Sequence, residues 1–316
     1  MTCNFRSLSD DKFSGFKFDY VISNPPFGID WKVEAKAVEK EAALGDEGRF
    51  GVGLPSKSDG QMLFMLNGIS KLKDDGRMAI IQNGSSLFSG DAGSGPSEIR
   101  RHIIENDWLE AIIQLPNDSF YNTGIATYVW VVTKAKSRER KGKVQLIDAS
   151  KCCEARRKSI GNKRVDITED ARALIVKAYC AFKTETYKSD GMICKSHIFV
   201  NSAFGYTKIV VESPLMEGGR KVEKKGRVVA DASKRDTENV PLGEDIGEYM
   251  KREVLPYNPD AWVDETKSKV GYEIPFTRTF YEYKPIEPAE TIAARIKEHE
   301  SRLAAILGDL FGEGGV

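Results

Sequence analysis

The stretch Phe18-Asp19-Tyr20-Val21-Ile22-Ser23-Asn24-Pro25-Pro26-Phe27-Gly28 decides the fold of this chain. Its first half is apolar and rich in residues that favour strands, which is typical of a short strand covered on both faces. Proline cannot donate to a strand ladder, so the chain must leave the sheet at Pro25. The residue before a proline favours an extended backbone. The stretch therefore predicts a rigid loop at the carboxyl end of a strand, where open α/β sheets bind ligands.

The polar groups of this loop suit the methylation of an exocyclic amine on a nucleobase. Such an amine is a poor nucleophile because its lone pair is delocalised into the ring. The side-chain oxygen of Asn24 and the carbonyl oxygen of Pro25 are predicted to accept its hydrogens, which favours charge developing on the nitrogen. Phe27 is predicted to stack on the base after the base leaves the duplex. The alternative is a plain Asn-Pro turn, but Asn-Pro-Pro-Phe directly after a hydrophobic strand favours a function.

Asn24-Pro25-Pro26-Phe27 resembles the catalytic motif of amino-methyltransferases, especially N6-adenine DNA methyltransferases. The flanking strand residues, with Gly28 and Trp31, resemble the modification subunit of type I restriction–modification systems. The resemblance continues at Leu115-Pro116, at 123–127 and at 271–281, and so covers most of the chain. It implies that the protein methylates adenine N6 in DNA with S-adenosylmethionine, after flipping the base into a site at Asn24, Pro25, Pro26 and Phe27.

A second aromatic residue, Phe120, follows the strand predicted at 109–115. The resemblance implies that Phe120 also contacts the flipped base. The alternative is a loop phenylalanine that packs on its own hairpin. A strand is predicted again at 125–133, and two strands with no helix between them form an antiparallel hairpin.

The resemblance also implies a cofactor half of the site, in which a Gly-rich loop and an acidic residue hold S-adenosylmethionine. Only 23 residues precede Asn24, and Gly15 is the one glycine among them. The residues that bind the cofactor therefore stay unassigned. We expect the chain to be a carboxyl-terminal part that lacks the amino-terminal cofactor half and is inactive alone.

The predicted fold class is α/β. It combines a partial Rossmann-like methyltransferase sheet, whose later strands form an antiparallel hairpin, with an α-rich carboxyl-terminal region ending in a coiled-coil-like helix. Three regions are predicted: a partial catalytic domain at 1–150, a mixed region at 151–285, and a helix for subunit docking at 286–316. The last of these carries apolar residues spaced by three and four, as in a coiled-coil seam, at Ile292, Ile296, Leu303, Ile306 and Leu310.

Composition limits the function classes. The 316 residues carry 47 basic and 47 acidic side chains. A balanced charge is not typical of a nucleic-acid-binding domain, so contact with DNA would use local basic clusters or a partner. The segment at 151–164 is a better candidate for such contact than the one at 134–143. Five scattered cysteines and three histidines predict no metal site and favour a reducing, cytoplasmic location. The sequence contains no membrane-spanning run.

Three functional hypotheses remain open. The first is a DNA adenine methyltransferase subunit that works with DNA, a specificity subunit docked on the terminal helix, and a possible restriction subunit. The second is a non-catalytic module that docks to a specificity subunit. The third keeps the Asn-Pro-Pro chemistry on another amine, such as a glutamine side chain in a protein.

Overall fold

A seven-stranded mixed sheet forms the centre of the protein. The structure, a computed structural model, describes residues 5–283 and 285–311. The strand order is β1-β2-β4-β3-β5-β9-β8. The strands of this sheet are β1 (Phe18–Ser23), β2 (Leu72–Asn83), β3 (Leu109–Gln114), β4 (Thr127–Thr133), β5 (Lys143–Asp148), β8 (Glu185–Ser189) and β9 (Met192–Val200), with the hairpin of β6 (Glu154–Ile160) and β7 (Lys163–Asp166) inserted after β5.

Helices cover this sheet. They are α1 (Ala35–Ala42), α2 (Gln61–Ser70), α3 (Ser85–Phe88), α4 (Gly95–Glu105) and α5 (Glu169–Ala181). Helix α2 is hydrophobic nearly all round, and eight of its ten residues are buried, as expected of a helix enclosed by its surroundings. Helix α5 begins at Thr168, whose side chain accepts a hydrogen bond from the backbone nitrogen of Ala171, and this cap satisfies one of the helix's free donors. The apolar face of α5 packs on β5, β8 and β9.

A second, four-stranded sheet follows. It is built from β10 (Gly205–Glu212), β15 (Asp236–Pro241), β16 (Trp262–Val263) and β17 (Lys269–Tyr272). Two short hairpins lie between β10 and β15, one of β11 (Met216–Glu217) and β12 (Arg220–Lys221), the other of β13 (Glu223–Lys224) and β14 (Arg227–Val228). Helix α6 (Ile246–Tyr249) continues into a π-helix at Met250–Val254, which packs on this sheet.

Arg100, on α4, joins the second sheet to α3 and the loop that follows it. The side chain is fully buried, and its guanidinium donates to the carbonyl oxygens of Tyr272 at 2.6 Å, Ser86 at 3.1 Å and Ser89 at 2.8 Å. Burial lowers the pKa of Arg100 to about 10, so the group stays charged at neutral pH. Buried charges are normally paired or fully hydrogen-bonded, and here three backbone carbonyls meet that need.

The chain forms two compact units, Met1–Phe276 and Thr277–Val316. The second contains α7 from Phe276 to Phe280 at its start and the long helix α8 (Ala289–Phe311). The predicted terminal helix is therefore present, and Ile292, Ile296, Leu303 and Ile306 on it are exposed. The fifth seam residue, Leu310, lies outside the residues whose side chains are described. No helix in the described ranges is both long and apolar enough to cross a membrane.

The α/β class and the antiparallel hairpin of β3 and β4 are confirmed. The expectation of an α-rich carboxyl-terminal region is wrong, because 185–272 contains far more strand than helix. The main sheet also extends past the boundary expected at residue 150, since β9 pairs with β5 and β8 pairs with β9. Strands far apart in sequence can share one sheet, and a pattern read along the chain does not reveal that pairing.

Candidate active site at the carboxyl edge of the sheet

Four strands of the main sheet run in the same direction, so their carboxyl ends meet along one edge. β1 is parallel to β2, β3 is parallel to β5, and β4 runs antiparallel to both β2 and β3. The segment 24–31 follows β1 at this edge, and 115–126 follows β3. Open α/β sheets bind their ligands at this edge. The edge thus carries both segments that the sequence singled out.

The Asn24 side chain is open to solvent. Asn24 is exposed, Pro25 is buried, and Pro26 and Phe27 are half-buried. Among the residues described, no hydrogen bond engages the Asn24 amide. The buried Pro25 fixes the backbone, while the amide oxygen beside it stays available to a ligand. An amide oxygen on a fixed backbone can hold the amine of a ligand in one position.

The far end of this loop is anchored by Trp31, which is only 3% exposed. The indole nitrogen Nε1 donates to the carbonyl oxygen of Ser56 at 2.9 Å, and the Trp31 backbone nitrogen donates to Lys57 at 3.0 Å. The backbone nitrogen of Gly60 donates to Ile29 at 3.1 Å. The loop after β1 is therefore fastened at both ends, by a strand before it and by a buried indole after it.

A buried polar network lies beside it, at the carboxyl end of β2. Gln61 is 1% exposed, and its Nε2 lies 2.8 Å from Asp59 Oδ2, 2.9 Å from Asn83 Oδ1 and 2.5 Å from Ser85 Oγ. Its Oε1 accepts from the backbone nitrogen of Asn83 at 3.2 Å. A fully bonded buried network fixes one conformation, so the turn after β2 is held rigidly.

The sequence reasoning did not assign this network to the site. The sequence pattern that predicts a site at Asn24 also predicts this network. Asn83 and Gly84 lie at the carboxyl end of a strand of the main sheet, as Asn24 does, and polar residues at that point lie at the same edge. The strand before Asn24 is itself not covered on both faces as expected, since Tyr20 and Ile22 are exposed.

Phe120 lies in a loop closed at its base. The backbone nitrogen of Leu115 donates to Thr127 at 2.8 Å, and the Ser119 hydroxyl donates to the Pro116 carbonyl at 2.7 Å. Phe120 is half-buried. Gly124 lies so close to the carboxylate of Asp118 that a Cβ there would be 2.5 Å from Oδ1. A larger residue at position 124 would therefore require the Asp118 carboxylate to move.

The hairpin of β6 and β7 binds the same loop. The backbone nitrogen of Asn162 donates to Tyr121 at 2.9 Å, and that of Arg164 donates to Asp118 at 2.9 Å. The Nζ of Lys163 lies 5.2 Å from the centre of the Tyr121 ring, within reach of a cation–π interaction. The hairpin leaves β5 at the same edge and folds back on the loop after β3.

Phe27 and Phe120 are not in contact. β1 and β3 are separated by β2 and β4, and three strand spacings amount to about 14 Å. The loop at 115–126 has six residues on each side of its tip, enough to extend about 20 Å. Phe120, close to that tip, is within reach of a base beside Phe27 only if the loop leans across β4 and β2.

A cavity of about 480 Å³ lies along β1 and reaches Asn24. Its walls include the polar side chains of Ser23, Asn24 and Asn67 and the apolar ones of Ile22 and Phe64. Its volume is within the range of small-molecule sites. No described residue lining it is acidic, whereas a ribose is typically held by a carboxylate. The lining fits the reacting end of a nucleoside cofactor and does not fit its ribose.

Tyr128 is the titratable group of β4 near this edge. Burial first, and then the negative charge of Asp148, raise the pKa of Tyr128. The phenol therefore stays neutral at physiological pH. Within the described ranges, no cluster of three or more His, Cys, Asp or Glu side chains is arranged to hold a metal ion.

Comparisons with known proteins indicate the family of the chain. A family model described as N-6 DNA methylase matches residues 3–198. The chain is 30% identical over 178 residues to the methylase subunit of the type I restriction enzyme MjaIX from Methanocaldococcus jannaschii, covering 56% of this chain and 30% of the relative. It is 29% identical over 195 residues to the HindI methylase subunit from Haemophilus influenzae, covering 61% of this chain and 40% of the relative.

One solved structure is also similar. It is the methyltransferase subunit of a type I restriction–modification system from Streptococcus thermophilus, 26% identical, with a TM-score of 0.49 over 62% of this chain and 37% of that chain. The chain spans well under half the length of these relatives. Since the family model matches more than half of the 316 residues, the chain belongs to the N-6 DNA methylase family.

Proposed function

We propose that this chain carries the base-binding half of the active site of a DNA adenine-N6 methyltransferase, the modification subunit of a type I restriction–modification system. The observation that carries the proposal is the open amide of Asn24, held between a strand and a buried proline at the ligand-binding edge of the sheet. Membership of the N-6 DNA methylase family supports it.

In this proposal the target adenine leaves the duplex and its N6 amine lies against Asn24. The Asn24 amide oxygen and the Pro25 carbonyl oxygen each accept one of its hydrogens. Pro25 has no N–H, so no donor competes at that position. Two preorganised acceptors stabilise the positive charge that develops on the nitrogen during attack, and they need no reorganisation at that moment. Phe27 stacks on the ring and offsets the cost of unstacking the base.

Other residues hold the backbone around this site or add a contact to the base. Trp31 and the network of Gln61, Asp59, Asn83 and Ser85 hold the backbone on either side of the site. Phe120 serves as a second contact to the base when its loop leans across β4.

S-adenosylmethionine is the proposed methyl donor, and when bound it supplies the methyl group that the amine accepts. Asn24 and Ser23, at one end of the cavity along β1, suit its reacting end. Its ribose would need a carboxylate from residues other than those that line the cavity.

The proposed partners are DNA, a specificity subunit and a restriction subunit. Helix α8 is proposed to dock the specificity subunit, because it exposes Ile292, Ile296, Leu303 and Ile306. An exposed apolar stripe of this kind is normally covered by a partner helix. The same stripe favours the second candidate function, a docking module without catalysis. Methyl transfer to DNA by the purified complex separates the two candidates.

The test is Asn24→Ala in the chain purified with the subunits that the proposal assigns to it. Methyl transfer should fall by about a hundredfold or more, the typical effect of losing one preorganised polar contact at a reacting centre. DNA affinity should stay near that of the wild type, because phosphate contacts elsewhere carry it.

Asn239→Ala is the matched control. Asn239 is exposed on β15, so its loss should change neither quantity. A variant at Asn24 that keeps more than about half of the wild-type activity would remove Asn24 from the mechanism, since the expected loss is far larger.

A further inference from the structure

The hairpin of β6 and β7 is the most basic local feature at the candidate active-site edge. Residues 151–166 contain six basic and two acidic side chains, in a chain whose net charge is zero. Both strands are mainly exposed or half-buried. The charge is thus concentrated on one projecting element, and no core packing explains it.

Two of these basic residues share one acidic partner within the hairpin. Arg156 and Lys163 both pair with Asp166, Lys163 at 3.0 Å. The hydrogen bond from Arg156, followed by the one from Lys163, lowers the pKa of Asp166. The pair of Arg156 with Asp166 joins the two strands of the hairpin, and the pair of Lys163 with Asp166 lies within β7.

Three exposed cations remain on the hairpin. Arg157, Lys158 and Arg164 are exposed and form no ion pair with any residue that the structure describes. Unpaired cations so close together in one hairpin repel one another, so an anionic partner would stabilise them. The phosphates of a nucleic-acid backbone are such a partner.

The hairpin is fixed against the loop that carries Phe120. Gly161, at its turn, has φ of 56°, and a Cβ there would lie 2.5 Å from the carbonyl oxygen of Tyr121. The backbone bonds from Asn162 to Tyr121 and from Arg164 to Asp118 complete the contact. The cations therefore stand in a set position beside the candidate site.

We infer that the β6–β7 hairpin binds the phosphate backbone of duplex DNA beside the target base, through Arg157, Lys158 and Arg164. The inference rests on the proposed function. Phosphate contacts of this kind set the position and orientation of a protein on the duplex and carry no sequence information. The hairpin would therefore hold the duplex in place while another part of the assembly selects the sequence.

The test measures DNA affinity against salt concentration, using the chain purified with its proposed partner subunits and a duplex oligonucleotide. Affinity falls as salt rises, and each phosphate contact adds about 0.9 to the magnitude of the slope of log affinity against log salt. The triple variant Arg157→Ala, Lys158→Ala, Arg164→Ala should reduce that magnitude by about 2 to 3. Methyl transfer at saturating DNA should stay close to that of the wild type, since none of the three acts on the base.

The matched control is Arg220→Ala, Lys224→Ala, Arg227→Ala. It also removes two arginines and one lysine, all exposed, from the short hairpins of β11 to β14. Its slope should equal that of the wild type. The inference is overturned by an unchanged slope in the β6–β7 variant, or by an equal fall in the control.

The two proposals can fail separately. A wild-type complex that binds DNA with the hairpin-dependent slope but transfers no methyl group contradicts the proposed function alone. A complex that methylates DNA with no change of slope in the hairpin variant contradicts the inference alone. A wild-type complex without DNA affinity contradicts both.

Discussion

The loop after β1 and the loop after β3 lie at the same edge of one sheet, but they are fixed in different ways. The first is held by Trp31, which bonds to Ser56 and Lys57, residues about 25 positions away. The second is held by the β6–β7 hairpin, which begins after two further strands, β4 and β5, have passed through the sheet. The motif loop is thus fastened by nearby sequence, and the Phe120 loop is fastened by a separate projecting element.

This difference predicts how the two halves of the candidate site respond to substitution. A buried indole in a packed core allows few alternative positions. A hairpin that holds a loop through three backbone bonds and a cation–π contact opens more easily. We therefore expect a rigid amine-binding side and a more adjustable side that carries Phe120.

The largest effect is expected at Trp31. Trp31→Ala leaves a cavity and removes the bond to Ser56, and substitutions of this kind cost about 3–5 kcal/mol of the free energy of unfolding. Urea unfolding measures it. Trp31→Phe keeps most of the packing and loses mainly the hydrogen bond, at a cost of about 1 kcal/mol. Equal losses in the two variants would show that packing of the indole does not anchor the motif loop.

A smaller effect is expected at the hairpin turn. Gly161→Ala places an alanine in the left-handed region, which costs about 1–2 kcal/mol, and brings its Cβ against the Tyr121 carbonyl. Hydrogen exchange at the amides of Asn162 and Arg164 should become faster, because both bond to the Phe120 loop.

Gly218→Ala is the control for backbone strain alone. Its φ is 57°, nearly equal to that of Gly161 at 56°, and nothing lies within 4 Å of the added Cβ. It should leave exchange at Asn162 and Arg164 unchanged. Faster exchange in the Gly218 variant too would mean that the contact with Tyr121 is not what holds the hairpin.

The smallest effect concerns pH. Bonds from Arg156 and Lys163 lower the pKa of Asp166 below its usual 3.8. Because the pKa of Asp166 is lower in the folded state, its ionised carboxylate stabilises the folded hairpin above about pH 4. This stabilisation is lost as pH falls through the folded-state pKa. The protection factors of the hairpin amides, which compare exchange with the intrinsic rate at the same pH, should therefore fall below pH 4, by a modest amount since the pair is exposed. In Asp166→Asn this pH-dependent fall should disappear.

The sequence predicted the motif loop and the β3–β4 hairpin well because both follow from local patterns. Two prolines after an apolar strand end that strand wherever it lies in the fold. Two strands joined without a helix pair antiparallel, and β3 and β4 do so. Helix α8 was equally predictable, since its apolar spacing and the preceding Pro288 are local signals.

Other features depend on pairing between distant residues. The joining of β8 and β9 to β5 continues the sheet to residue 200, and nothing in the local pattern at 151–200 reveals it. The short charged strands between 216 and 228 have no apolar alternation to mark them. The roles predicted for Asn24, Pro25, Pro26, Phe27 and Phe120 stay predictions until the variants are measured.

The contacts of Arg100 determine which neighbouring positions tolerate substitution. All three of its acceptors are backbone carbonyls, at Ser86, Ser89 and Tyr272. A carbonyl survives any substitution of its own side chain, so those three positions can change without losing this contact. Position 100 has no such freedom, because a lysine offers a point charge in place of a planar fork of donors. Other side chains also link α4 and the loop before it to the second sheet, through Ser97, Glu105 and the pair of Asp91 with Lys208. Of these contacts, the one made by Arg100 is the one that requires an arginine.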